Sequence, residues 1–191
     1  ENTLSPDFAS HFGLDTENLI YCDPTSVPPS IEGTFEWLAK VISTIREADP
    51  EDTTPIILAL DSLPVLSPEK EFEDEKDKKK VKKHVVNHVQ QNTDGMIRAK
   101  LIGGGLRKIN GLLGDFNATL LIVNQIRTKI NVWGPASTTD AAGGKGLGFY
   151  LSVDLETVST KTVGGPIYKD NKKTGEVIGQ RGEIRCKKNK V

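Results

Sequence analysis

The run Thr119–Ile130, TLLIVNQIRTKI, constrains this chain more than any other feature. An apolar strand ends in a paired amide, Asn124-Gln125, and basic residues Arg127 and Lys129 follow at once. A polar loop then closes on Gly143-Gly144, before Lys145-Gly-Leu-Gly-Phe149-Tyr150. A strand that delivers an amide to its C-terminal edge and runs straight into a basic, flexible loop can connect a phosphate site to a nucleic-acid site.

The remaining pattern alternates strands and helices. Pro6–Gly13 is a short helical segment ending at glycine, and Asn18–Cys22 suits a buried strand stopped by Asp23-Pro24. Ser30-Ile-Glu-Gly33 opens an amphipathic helix through Ala48, with Phe35, Leu38, Ile42 and Ile45 at helical spacing. Pro55–Asp61 is a continuous apolar run, too short for a buried helix. It suits a parallel strand covered on both faces. Gly95–Gly114 is helical but carries Gly103-Gly104-Gly105 at its middle. Each glycine costs about 1 kcal/mol against alanine there, so either the helix breaks or another backbone packs very close. Leu120–Asn124, Phe149–Val158 and Gly182–Lys190 are the later strands. Such alternation predicts a mostly parallel sheet with helices on its faces.

Length and composition allow one sizeable α/β domain: 191 residues, of which 36% are apolar. Cys22 and Cys186 lie far apart without ligand spacing, which argues against a disulfide framework and fits a reducing cytosol. No stretch approaches a transmembrane length. The chain opens without methionine and is read as a fragment truncated upstream. Its net charge of −1 hides an asymmetry. Residues 1–77 hold 18 acids against 4 bases, and residues 78–191 hold 8 acids against 21 bases. A basic C-terminal half is expected where phosphates are contacted, although a charge run alone is often merely solvated.

Three superficial motifs carry little. Gly143–Gly148 lacks the GxxxxGK[ST] spacing and precedes a strand. His84 and His88 have helical metal spacing without a third ligand. Asn117-Ala-Thr119 is a glycosylation sequon by letters only. Asp61-Ser62, at the end of the Pro55–Asp61 run, is weak evidence when taken alone, because a strand-capping aspartate is more often structural.

The order strand, Asn-Gln-Ile-Arg, polar loop, Gly-Gly, Phe-Tyr resembles the RecA recombinase family closely, and the likeness runs from Glu1 to Val191. It implies an α/β fold: a RecA-like P-loop NTPase core with a mostly parallel twisted sheet, helices on both faces and the N-terminal part missing. Residues 1–191 would be a partial core, with 69–94 a charged insertion at the first DNA-binding loop and 127–145 the second loop. The resemblance assigns Glu1 as the residue polarising the attacking water, Gln125 as the γ-phosphate sensor, and Lys188 and Lys190 as charges reaching a neighbouring subunit's phosphates. Phe8 stands where the family has a tyrosine stacking on adenine, while Ser5 stands where it usually has an aspartate. Asp61 would hold Mg²⁺ through water, beside Ser62 and Asn124. DNA contacts fall to Arg98, Lys100, Arg107, Arg127, Lys129, Ile130, Gly143, Gly144 and Lys145, with Ile130 wedging between bases. Trp133 suits either a base stack or a packed turn. Phe149 would pass the nucleotide signal across a subunit interface, against the plainer alternative of a core aromatic.

The implied activity is ATP-dependent binding of single-stranded DNA, filament formation and homologous strand exchange by an intact cytoplasmic DNA-dependent ATPase. ATP and Mg²⁺ would be the cofactors. Single- and double-stranded DNA and further copies of the chain would be the partners, with no membrane. The alternatives are a non-hydrolysing DNA-binding or filament-modulating protein of the same fold, and a RecA-fold helicase.

Overall fold

Both short apolar runs become strands, and they lie side by side. Ile56–Leu60 (β1) and Ala118–Ile122 (β2) pair in parallel, from Ile56 opposite Ala118 to Leu60 opposite Ile122. The computed structural model describes residues 4–22, 30–70, 91–128, 139–144, 146–158, 165–169 and 175–190. The chain divides into two compact units, Glu1–Leu147 and Gly148–Val191.

In the first unit a short helix α1 (Pro6–His11) precedes the long helices α2 (Ile31–Ala48) and α3 (Gln91–Asp115). The Ser30 hydroxyl caps α2 by accepting from the Gly33 amide at 3.0 Å. Ile31, Phe35, Leu38 and Ile42 of α2 are buried with Ile102, Leu106 and Ile109 of α3, Leu58 of β1, and Leu63 and Leu66 beyond it. Each buried side chain of this kind contributes on the order of 2 kcal/mol. That far exceeds the tenths separating ordinary helix propensities, so packing decides where α2 lies.

The triple glycine does not break α3. A Cβ on Gly105 would lie 2.3 Å from Cδ2 of Phe35, whereas one on Gly104 would meet nothing within 4 Å. The close approach anticipated from the sequence exists, but it comes from an aromatic ring of α2 rather than from a backbone.

Arg46, only 7% exposed, is the polar centre of this unit. Its Nε and Nη2 donate to the Phe116 carbonyl at 3.2 and 2.9 Å, and Nη1 donates to the Asp52 carbonyl at 2.7 Å. Nη2 also reaches the Thr54 carbonyl, and Nη1 lies 3.4 Å from the Asp52 carboxylate. One side chain thus ties the end of α2 to the approach to β1 and to the turn before β2. In that turn Asn117 adopts φ +48°, and its side-chain amide donates to the Thr53 carbonyl at 3.0 Å.

Four expectations need correction. Asn18–Cys22 forms no described strand: Ile20 is exposed, and the segment pairs with neither β1 nor β2. β1 is not covered on both faces by described residues, since Ile57 is 71% exposed while Leu58 is buried. The residues Phe149-Tyr150 belong to a helical turn, α4 (Leu147–Tyr150), and the strand that follows begins only at Val153. Finally, β1–β2 is the one parallel pair of strands among the described residues, beside an isolated parallel bridge between Ser30 and Ser67. β3 (Ile126–Thr128) and β4 (Thr139–Ala141) pair antiparallel, as do β5 (Val153–Val158) with β8 (Glu183–Asn189) and β6 (Gly165–Tyr168) with β7 (Val177–Arg181). A parallel crossover needs a dozen or more residues, usually helical, and the segments 129–138 between β3 and β4 and 169–176 between β6 and β7 are shorter than that; β5 and β8 flank the β6–β7 pair in sequence. Of the charged segment expected at 69–94, residues 71–90 lie outside the described residues, while 91–94 belong to the first turn of α3.

Gly105→Ala should destabilise the chain by roughly 1–2 kcal/mol, the overpacking cost less the gained helix propensity. Gly104→Ala should stabilise it by up to about 1 kcal/mol. Urea denaturation of the two variants beside the parent measures both signs, and equal midpoints would show that the Phe35 ring swings aside freely. The Asp52 carboxyl is held below its ordinary value of 3.8 by hydrogen bonds from Thr54 and, less, by the Arg46 charge. A lowered carboxyl pKa favours the folded chain above that ordinary value, and the contribution is lost as pH falls through the folded-state value. Thermal midpoints of the parent and of Asp52→Asn, measured from neutral to acidic pH, should therefore converge toward the acid end.

Candidate functional site

Because β1 and β2 are parallel and end in step, their C-terminal residues emerge at one edge. The Val123 amide donates to the Leu60 carbonyl at 3.0 Å, and the Leu63 amide donates to the Val123 carbonyl at 3.0 Å. These bonds carry the pairing past the last ladder residues and turn the chain after β1 across the end of β2. The result is a cleft of ≈ 370 Å³ lined by Asp61, Ser62, Pro64, Val65, Val123, Asn124 and Gln125. The edge of a parallel sheet beyond its strand ends is where α/β proteins place ligands. All four residues singled out at the ends of the two runs, Asp61, Ser62, Asn124 and Gln125, meet there. The Asp61–Ser62 peptide bond is cis.

Asn124 acts as a junction. Its Oδ1 accepts from the Gln125 amide at 2.8 Å, and its Nδ2 donates to the Ala142 carbonyl at 2.9 Å. The Ala142 amide returns to the Gln125 carbonyl at 3.4 Å, continuous with the β3–β4 ladder in which Ile126 faces Ala141. The amide at the strand end therefore fastens the two ends of the loop that β3 and β4 border. Gln125 is exposed. Asp61, also exposed, forms no ion pair among the described residues. A carboxylate, a hydroxyl and amide oxygens are the hard donors that suit a hydrated Mg²⁺, so the residues present fit that ion. No group of three or more His, Cys, Asp or Glu side chains placed to hold a metal occurs among the described residues.

Gly143 and Gly144 have φ of +98° and +70°, a backbone region that side chains disfavour. A Cβ on Gly144 would come within 3.2 Å of the Ala99 Cβ, and one on Gly143 within 3.5 Å of Ile102, Leu63 and Leu147. The pair seats the end of the loop on α3.

A model of the RecA N-terminal domain family matches residues 1–191. The chain belongs to the RecA family. It is 30% identical over 191 residues to the RecA protein of Helicobacter hepaticus, covering all of this chain and 46% of that relative. It is 29% identical to RecA of Campylobacter lari, and 30% identical over 192 residues to RecA of Staphylococcus aureus. The chain spans just under half the length of these curated relatives.

The other family positions fare unevenly. Glu1, Lys129, Ile130, Trp133 and Lys145 lie outside the described residues, and Arg127 is placed only by its backbone in β3. Lys100 and Arg107 are exposed on α3. Arg98 is half-buried and occupied: its Nη2 donates to the Pro64 carbonyl at 3.0 Å and to the Leu66 carbonyl. It braces the segment lining the cleft, a role with no local signal in the chain around Arg98. Phe8 is exposed on α1, and its amide donates to the Ser5 hydroxyl at 3.4 Å.

In the second unit Lys188 and Lys190 grip α4. The Lys188 ammonium donates to the Gly148 carbonyl, and Lys190 donates to the Phe149 carbonyl at 3.3 Å. Burial, followed by the adjacent Lys190 charge, lowers the Lys188 pKa, with Asp154 pulling the other way. Phe149 itself is 79% exposed, which removes the core-aromatic alternative for the described residues.

Asn124→Asp removes the amide donor and turns a carboxylate toward the Ala142 carbonyl. Amide hydrogen exchange at Ile126–Thr128 and Thr139–Ala142 should then accelerate at least several-fold, reflecting a lost net hydrogen bond of about 1 kcal/mol. Unchanged exchange would show that the β3–β4 ladder stands without Asn124.

Proposed function

We propose that this chain is part of a DNA-dependent recombinase ATPase, which binds single-stranded DNA under ATP control, forms a helical filament and exchanges homologous strands. The observation that carries this reading is the shared cleft: the acid ending β1 and the amides ending β2 line one site, and Asn124 fastens that site to the loop bordered by β3 and β4. Membership of the RecA family supplies the class of reaction.

In this reading Asp61, with Ser62 and Asn124 beside it, would hold Mg²⁺ through water, and Phe8 stacks on the adenine. When bound, such an ion would supply positive charge to a transferring phosphoryl group. Gln125 donates to the γ-phosphate and so biases the loop it precedes, while Glu1 orients the attacking water. Arg127, Lys129, Lys145, Lys100 and Arg107 bind the DNA backbone electrostatically, and Ile130 separates bases. Arg98 is reassigned from DNA to bracing the cleft. Lys188 and Lys190 reach phosphates bound by a neighbouring subunit, so hydrolysis depends on filament assembly. Phe149 lies at that subunit contact, and the protein works in the cytoplasm.

The test uses the full-length protein. Gln125→Ala should reduce DNA-stimulated ATP hydrolysis on the order of 10²-fold, as removal of one charge-stabilising donor does elsewhere. It should also abolish the ATP-dependent tightening of single-stranded DNA binding seen by fluorescence anisotropy. Tightening that survives intact in Gln125→Ala would overturn the proposed coupling.

A further inference from the structure

Helix α1 and the residue that caps its C-terminus present two aromatic rings four residues apart, Phe8 and Phe12. The centroids of Phe8 and Phe12 lie 4.9 Å apart with their planes inclined at 63°, an edge-to-face contact. Both rings are open to solvent, Phe8 at 67% and Phe12 at 77% exposure. The backbone beneath them is pinned at both ends. Ser5 caps the first turn through the Phe8 amide, the Phe12 amide donates to the Ala9 carbonyl at 3.1 Å, and Gly13 at φ +80° closes the helix. Ala9, between the two rings, is buried.

An isolated phenylalanine on a surface helix exchanges between rotamers, and a ring that must receive a flat base loses affinity to that freedom. An edge-to-face neighbour restricts the ring while occupying at most one of its two faces. We propose that Phe12 is a positioning residue for Phe8: it holds the Phe8 ring in the plane on which the purine base of a nucleotide stacks. This inference rests on the reading of Phe8 as the base-stacking residue. Phe12 would never touch the nucleotide in this role. Its effect is confined to the base, because neither ring can contribute to phosphate binding.

That confinement supplies the test. Calorimetric affinities for ATP and for inorganic tripolyphosphate are compared in the full-length protein and its Phe12→Ala, Phe12→Leu, Phe12→Tyr and Phe8→Ala variants. Phe12→Ala and Phe12→Leu should weaken ATP about 2- to 10-fold, the measured range for aromatic pairs, and leave tripolyphosphate unchanged. Phe12→Tyr, which keeps a ring edge, should restore ATP affinity. Equal weakening of both ligands in the Phe12 variants would make Phe12 merely structural and overturn the proposal. So would Phe12 variants that bind ATP normally while Phe8→Ala loses ATP selectively. A Phe8→Ala variant with no selective loss would instead remove the base-stacking reading itself, and this inference with it.

Discussion

Arg46 organises the first unit from the end of the sheet opposite the cleft. A guanidinium carries five N–H groups in a rigid fork, and here the fork meets the carbonyls of Asp52, Thr54 and Phe116 together with the Asp52 carboxylate. Those carbonyls flank the starts of β1 and β2. Fixing the two starts relative to each other fixes the register, and in a pleated strand a slip of one residue would turn every side chain to the opposite face. Burying a charge is costly unless it is fully hydrogen-bonded, so Arg46 stays where it is only while all three segments hold their places. The clamp and the register enforce one another.

The cleft follows from that register. With Leu60 level with Ile122, the residues after them leave the sheet together, and the Val123 and Leu63 amides continue the pairing. Asn124 then extends the same order by one step, into the β3–β4 ladder, and Arg98 closes the other wall by holding the Pro64 and Leu66 carbonyls. The site is thus a terminus of regular structure, held by backbone groups, with the exposed Asp61 and Gln125 left to meet whatever enters.

Where local pattern and packing agree, the sequence was legible. α2 announces itself through Ser30 and the spacing of Phe35, Leu38 and Ile42, and both strands of the parallel pair could be read from unbroken apolar runs. Asn124 and Gln125 stand out where an apolar run turns polar, whereas Asp61 and Ser62, at an equally plain strand end, take their meaning only from the family resemblance. What escaped has a common cause. Arg46 and Arg98 look like surface cations, because only their partners' backbone carbonyls, distant in sequence, reveal them as struts. The antiparallel character of β5–β8 was missed because alternation of elements says nothing about connection length once helices are no longer present. Phe149-Tyr150 was read as strand from its aromatics, but Leu147 is buried and its amide donates to the Gly144 carbonyl, which coils the chain first.

The contact between Gly105 and Phe35 has a consequence for how this helix pair can diverge. The absent side chain at one position and the large one at the other fill a single volume, since a Cβ on residue 105 would overlap the ring of residue 35. Neither residue is therefore free to drift by itself. A lineage that acquires a methyl group at 105 must first, or at once, shrink residue 35, and one that trims the ring opens a void that a larger neighbour can later occupy. Change at this crossing proceeds in compensated steps, so among relatives the two positions should vary as a pair even when each alone looks unremarkable.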